Sequence, residues 1–219
     1  MHSRSLITVE AGYLVMGNKV LHFPDLSIDQ GRLIALVGKN GTGKSVWLRH
    51  LMGWVKPVSG SVHSDLWRLG NLIAWVNNSR ESFADLWVID VLLLGSEKKD
   101  SLLLEEVLQK FNLEVLKNQS IQTLSDGEWM RVRMARLFYH LPPLILMDEP
   151  TAHLDFEYAD WWKNWAQELI SKGCSIVCAT HDLAWASQSA DQVWMLEQGR
   201  IQLMERGVFH PEILIKKDK

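Results

Sequence analysis

Apolar residues fall in short blocks whose spacing changes along the chain. Residues 6–9 and 20–23 read as short strands, with Pro24-Asp25 and Asp29-Gln30-Gly31 as turns. Residues 33–37 contain no polar side chain, the pattern of a strand covered on both faces. Residues 45–52 predict a helix closed by Gly53, and residues 72–76 another strand. From 77 to 141 the pattern is mostly helical, with helices expected over 90–94, 102–111 and 127–139. Residues 144–147 and 175–179 return as buried strands around a tryptophan-rich helix, and 193–196 with 200–204 form a hairpin about Glu197-Gln198-Gly199. This alternation predicts an α/β chain, a mainly parallel sheet interrupted by a helical lobe.

A length of 219 residues fits one domain, or one domain carrying an inserted lobe. At 47% hydrophobic and 22% charged residues the chain can bury a core. A net charge of -3 argues against a protein held mainly by nucleic-acid phosphates, so no nucleic-acid partner is expected. No apolar run reaches the roughly 18 residues of a membrane span, and the four apolar residues before Glu10 are too few for a signal peptide. Cys174 and Cys178 share one apolar segment with no second pair to make a metal site or disulfide framework. A soluble, reduced, cytoplasmic chain is expected. Eleven tryptophans have no functional account at this level.

Gly38-Lys39-Asn40-Gly41-Thr42-Gly43-Lys44-Ser45 fits G-x-x-x-x-G-K-[ST], following a buried strand and opening a helix. In that setting backbone N–H groups and the helix dipole attract phosphates, Lys44 reaches the β- and γ-phosphates, and Ser45 holds Mg²⁺. The apolar run 144–147 ends in Asp148-Glu149. Asp148 is placed to hold Mg²⁺, directly or through water, and Glu149 to act as general base for water attacking the γ-phosphate. Ser125-Asp126-Gly127-Glu128 reads first as a capping box with Ser125 at the N-cap, and a capped helix N-terminus also attracts anions. Arg131, Arg133 and Arg136 on the following helix read as a solvated face, and Trp161, Trp162 and Trp165 as packing residues.

Together these motifs make the chain similar to the ATP-binding subunit of an ABC transporter over almost its whole length. Residues 38–45 resemble the Walker A loop, 144–150 the Walker B strand, 124–128 the signature and 151–155 the D-loop. His181 sits where the switch histidine belongs, and Tyr13 is placed like the aromatic that stacks on adenine. The resemblance implies a P-loop NTPase core (1–77 and 142–219) with an N-terminal antiparallel β subdomain, and an inserted helical subdomain (78–141). It gives ATP to Gly38, Asn40, Gly41, Thr42, Gly43, Lys44, Ser45 and Val46, and puts Asp155 in the same cofactor-binding set. His181 would contact the γ-phosphate, with Lys44, Glu149 and His181 as the catalytic set.

It also implies that two subunits pair head to tail, so that Ser125 and Gly127 meet the γ-phosphate of the partner's nucleotide. Asp126 stands where the family usually has a small residue. Asn78 stands where the family places a glutamine that reaches Mg²⁺ and links to the permease, and it is shorter by one methylene. Residues 85–95 resemble the siderophore, haem and cobalamin importers. The implied partners are a second copy and a transmembrane permease, which would hold the chain at the inner face of the membrane. The alternatives are a soluble ABC-type ATPase, as in iron–sulfur assembly, or a weakly hydrolysing regulator.

Overall fold

The computed structural model describes residues 4–67, 73–77, 86–96, 100–150, 156–205 and 209; side chains at 156–161, 163 and 205 are outside that description. The chain forms two compact units, 1–77 with 143–150 and 173–219, and 78–142 with 151–172. Residues 151–172, assigned to the core from sequence, thus cluster with the helical unit.

Ten strands of the first unit form one sheet. They are β1 (Ser5–Met16), β2 (Lys19–Phe23), β3 (Leu26–Asp29), β4 (Leu33–Val37), β5 (Ser59–His63), β6 (Ile73–Val76), β7 (Leu144–Asp148), β8 (Ser175–Thr180), β9 (Gln192–Glu197) and β10 (Arg200–Glu205). Their order is β3-β1-β2-β10-β9-β4-β8-β7-β6, with β5 paired to β1. Strands β4, β6, β7, β8 and β9 pair parallel with one another, whereas β10 meets β9 antiparallel and β1 meets β2, β3 and β5 antiparallel. The strands with unbroken apolar runs are under cover: β4 is buried throughout, β7 up to Met147, and β8 throughout, its terminal Ser175 and Thr180 included.

Helix α1 (Lys44–Leu51) and helix α6 (Leu183–Ser189) belong to this unit. Trp47 of α1 is fully buried, packed against Phe23 at 5.0 Å, His50 at 5.2 Å and edge-on to Trp194 at 6.3 Å. Several tryptophans are therefore core aromatics, each burying a large apolar area.

The second unit holds α2 (Val88–Leu93), α3 (Ser101–Lys110), α4 (Asp126–His140) and α5 (Phe156–Ser171). Its core is aromatic: Trp165 stacks on Phe111 at 4.6 Å and meets Phe138 edge-on at 5.0 Å. Lys110 lies over both the Trp165 and Phe138 rings and pairs with Glu168, so one cation ties α3 to α5. Trp162 is buried and Trp165 packs, as expected; the Trp161 side chain lies outside the described residues.

The arginines of α4 differ from the expectation of a solvated face. Arg131 donates to the carbonyls of Phe111 and Asn112, and Arg136 to that of Leu94. Arg133 lies over the Trp129 ring and against the Met130 sulfur. Each is half-buried, its stem covering apolar surface while its head satisfies main-chain oxygens.

Candidate functional site

The strand β4 delivers the chain into the loop 38–43, which opens α1. Gly43 caps that helix in the left-handed region (φ 113) with no side-chain cap. A Cβ there would sit 2.8 Å from Met16 Cε and 2.9 Å from its Sδ, so the loop is pressed onto the end of β1. The Thr42 hydroxyl donates to the Lys39 carbonyl at 2.8 Å and closes the turn. Lys19 reaches from β2 to donate to the Gly41 carbonyl at 3.0 Å.

Lys44 is only 6% exposed. Its Nζ donates to the Gly38 carbonyl at 2.8 Å and the Lys39 carbonyl at 3.4 Å, and lies 3.2 Å from Glu149 Oε1. Those contacts hold the ammonium inside the ring of the loop. Glu149 follows β7 with φ 51, an uncommon conformation for a residue with a side chain. Its N–H donates to the Ala179 carbonyl at 3.0 Å, which fixes the turn to β8. Its other carboxylate oxygen receives His181 Nδ1 at 2.6 Å. Thr180 and Asp182 shape the far side: the Asp182 N–H donates to Thr180 Oγ1 at 3.0 Å, and Asp182 caps α6 by accepting from the Trp185 N–H at 2.8 Å. Lys44, Glu149 and His181 are thus brought together from three places in the chain.

Beneath them, burial and the negative charges of Glu149, Asp148 and Asp182 push the Cys178 thiol far up, so it stays protonated as a core residue.

Ser45 in the first turn of α1 and Asp148 at the end of β7 offer a hydroxyl and a carboxylate, hard oxygen donors that suit Mg²⁺. Among the described residues no group of three or more His, Cys, Asp or Glu is assembled to hold a metal. A cation shared between two protein oxygens, substrate phosphates and water is the arrangement Mg²⁺ tolerates best.

In the second unit, Ser125 caps α4 in a complete capping box. The Glu128 N–H donates to Ser125 Oγ at 3.3 Å, while Glu128 Oε2 accepts from the Ser125 N–H at 2.8 Å and its hydroxyl at 2.7 Å. These hydrogen bonds hold the Glu128 carboxyl below its ordinary value. Ser125 and Asp126 are exposed and Gly127 half-exposed at this N-terminus.

Two sequence expectations fall on other ground. Asn78 and the segment 151–155, with Asp155, lie outside the described residues. Tyr13 lies on the face of β1 opposite the fully buried Leu14, where its ring meets His22 at 5.7 Å. Lys19 and Met16 were missed, because nothing local in the sequence says that a hairpin tip will touch a loop about 25 residues later.

A glycine loop between a buried strand and a helix, with a buried lysine and a strand-end carboxylate beside it, defines a nucleotide-phosphate site. The chain matches the ABC transporter family over residues 21–152. It is 34% identical over 211 residues to the "Hemin import ATP-binding protein HmuV" of Photobacterium damselae subsp. damselae, covering 87% of this chain and 79% of that one. The protein of the same name from Rhodopseudomonas palustris (strain BisB18) is 31% identical, covering 87% and 78%. An ATP-binding subunit of an ABC transporter superposes with a TM-score of 0.83 at 24% identity, over 98% of this chain and 100% of that one. A putative metal-chelate type ABC transporter gives 0.81 at 24% identity, over 96% and 88%, a likeness of fold. The chain belongs to the ABC transporter family as an ATP-binding, ATP-hydrolysing subunit. Among the described residues no helix is long and apolar enough to cross a membrane.

Proposed function

We propose that this chain powers uptake of a haem-type metal chelate through a transmembrane permease, working as a head-to-tail pair at the inner face of the membrane. The observation that carries the catalytic part is the Glu149 carboxylate, held between Lys44 Nζ at 3.2 Å and His181 Nδ1 at 2.6 Å. A carboxylate so oriented can accept the proton of a water attacking the γ-phosphate. Lys44 supplies fixed positive charge to the β- and γ-phosphates, and the loop N–H groups from Gly38 to Val46 surround them. His181, 65% exposed, is free to turn its other ring nitrogen toward the γ-phosphate. Ser45 with Asp148 would hold a Mg²⁺ ion, which would supply positive charge to offset the charge developing on the phosphoryl group.

Ser125 and Gly127 close the nucleotide of a second copy, their exposed N-terminal turn being suited to an anion. Asp155 and Asn78 keep the roles the resemblance gives them, at the cofactor and at Mg²⁺. Relatives named as hemin import proteins support the cargo class.

The test is phosphate release by the purified chain and by chain plus permease in proteoliposomes. Glu149→Gln should bind ATP yet hydrolyse it at least about 100-fold more slowly. Parental hydrolysis by the folded variant would remove Glu149 from the mechanism. Haemin accumulation that does not depend on ATP would remove the cargo assignment.

A further inference from the structure

We infer that the Lys44–Glu149 ion pair is an autoinhibitory contact: Glu149 occupies the donor of Lys44 that a nucleotide phosphate needs, and a phosphate ligand has to displace it. This deepens the ATP reading above and rests on it.

An ammonium has three N–H bonds and no acceptor, so each one engaged by the protein is withheld from a ligand. Lys44 Nζ has all three engaged: by the Gly38 carbonyl at 2.8 Å, the Lys39 carbonyl at 3.4 Å and Glu149 Oε1 at 3.2 Å. The two carbonyls belong to the loop itself. The Lys39 carbonyl also accepts the Thr42 hydroxyl at 2.8 Å and the Thr42 N–H at 3.3 Å, so it is tied into the turn. Glu149 comes from a different place, the end of β7, and its carboxylate can leave without unwinding that turn. Lys44 is only 6% exposed, so water is a poor substitute for the carboxylate. A phosphate oxygen is a good one, because it brings negative charge and is met at the same time by the loop N–H groups.

The carboxylate has somewhere to go. His181 Nδ1 holds its other oxygen at 2.6 Å, and the Glu149 N–H is fixed on the Ala179 carbonyl at 3.0 Å. The exchange therefore moves one side chain and leaves the backbone in place. It also runs backwards: after hydrolysis, the return of Glu149 to Lys44 favours release of ADP. A hydrogen bond between charged groups is strong enough to lower phosphate affinity about tenfold, taking the low end of its range because Glu149 is 24% exposed.

The experiment is equilibrium titration of the full chain with ADP and with pyrophosphate in EDTA, so that no divalent ion bridges ligand and protein. Glu149→Asp keeps the charge but withdraws it from Lys44 by roughly 1 Å, and aspartate tolerates the φ of 51 at this position. Glu149→Gln keeps the length and removes the charge. Both variants should bind ADP and pyrophosphate about tenfold more tightly than the parent, with slower dissociation of ADP. Asp182→Asn is the control. It removes a charge that acts on Cys178 alongside Glu149 but caps α6 instead of pairing with Lys44, and both affinities should stay within about twofold. Unchanged affinity in both Glu149 variants overturns the inference. A gain in Glu149→Gln without one in Glu149→Asp, or an equal gain in Asp182→Asn, assigns the effect to charge rather than contact and overturns it as well. Pyrophosphate binding that survives Lys44→Ala would instead count against the phosphate loop itself, so the two failures are distinct.

Discussion

Replacing Gly38 by alanine tests whether the phosphate loop is positioned by close contact with β9. A Cβ at Gly38 would fall 2.6 Å from the Leu196 carbonyl oxygen and 3.0 Å from Thr42 Oγ1, where ordinary contact starts near 3.4 Å. Leu196 is strand backbone in the middle of the sheet, so it cannot swing aside, and the loop must retreat by about 0.8 Å. The Gly38 carbonyl accepts from Lys44 Nζ, so the retreat carries the lysine's anchor with it. A misplacement of about 1 Å costs on the order of 100-fold in rate, which puts Gly38→Ala about 30- to 100-fold down in kcat/KM for ATP. Overpacking of about 1–3 kcal/mol should also lower Tm by roughly 3–10 °C. Gly31→Ala is the control: a Cβ there meets nothing within 4 Å, but φ is +73, so it should cost about 1–2 kcal/mol of stability and leave kcat/KM unchanged. Phosphate release and thermal melting on the three proteins decide the matter. A Gly38→Ala protein within threefold of the parent rate would refute steric positioning of the loop.

Ser125→Ala removes the N-cap acceptor and one arm of the Glu128 clasp, and should cost about 1 kcal/mol in a denaturant titration, with Ser125→Asp recovering most of it. Burial holds His50 below the ordinary histidine value, its ring nitrogen kept at the Val55 carbonyl. The unfolded chain therefore takes up a proton that the folded chain refuses, so stability should fall as pH drops below about 6.5. In melting curves at pH 7 and pH 5, His50→Asn, which keeps a donor for Val55, should shrink that fall; an undiminished fall would assign it to other groups. Lys110→Met leaves the Trp165 and Phe138 rings without their cation and Glu168 without its partner, and a loss of about 1 kcal/mol is expected in the same titration.

Where a segment's environment is uniform, the sequence is readable. Strands β4, β7 and β8 lie under cover on both faces, so their unbroken apolar runs mark them. Strand β5, Ser-Gly-Ser-Val-His, carries no such mark and exists because β1 offers it an edge. Helix α6 is short and rich in small and polar residues, and its one signal was Asp182 at the N-cap. The phosphate loop and the Asp148-Glu149 pair are local in sequence and were legible. His181 joins them because β7 and β8 pair in register, Asp148 opposite Ala179. The facing of β1 was not legible: its pairing with β5 shifts register between Glu10 and Tyr13, so odd positions point inward at Ile7 and Val9 but an even one does at Leu14, a change that plain alternation does not give.

The place of β4 in the sheet has a consequence for biosynthesis. The strand that leads into the phosphate loop is complete by residue 37, yet both its neighbours, β8 and β9, come from residues 175–197. At ribosomal speeds of about 5–20 residues per second, roughly 10–30 s pass before either edge of β4 can be paired. During that time a strand of five apolar residues has no partner and is a target for chaperones. The site therefore assembles only after β8 and β9 have been made. A nascent chain stalled before β8 has translated every residue of the loop but has no scaffold to hold it.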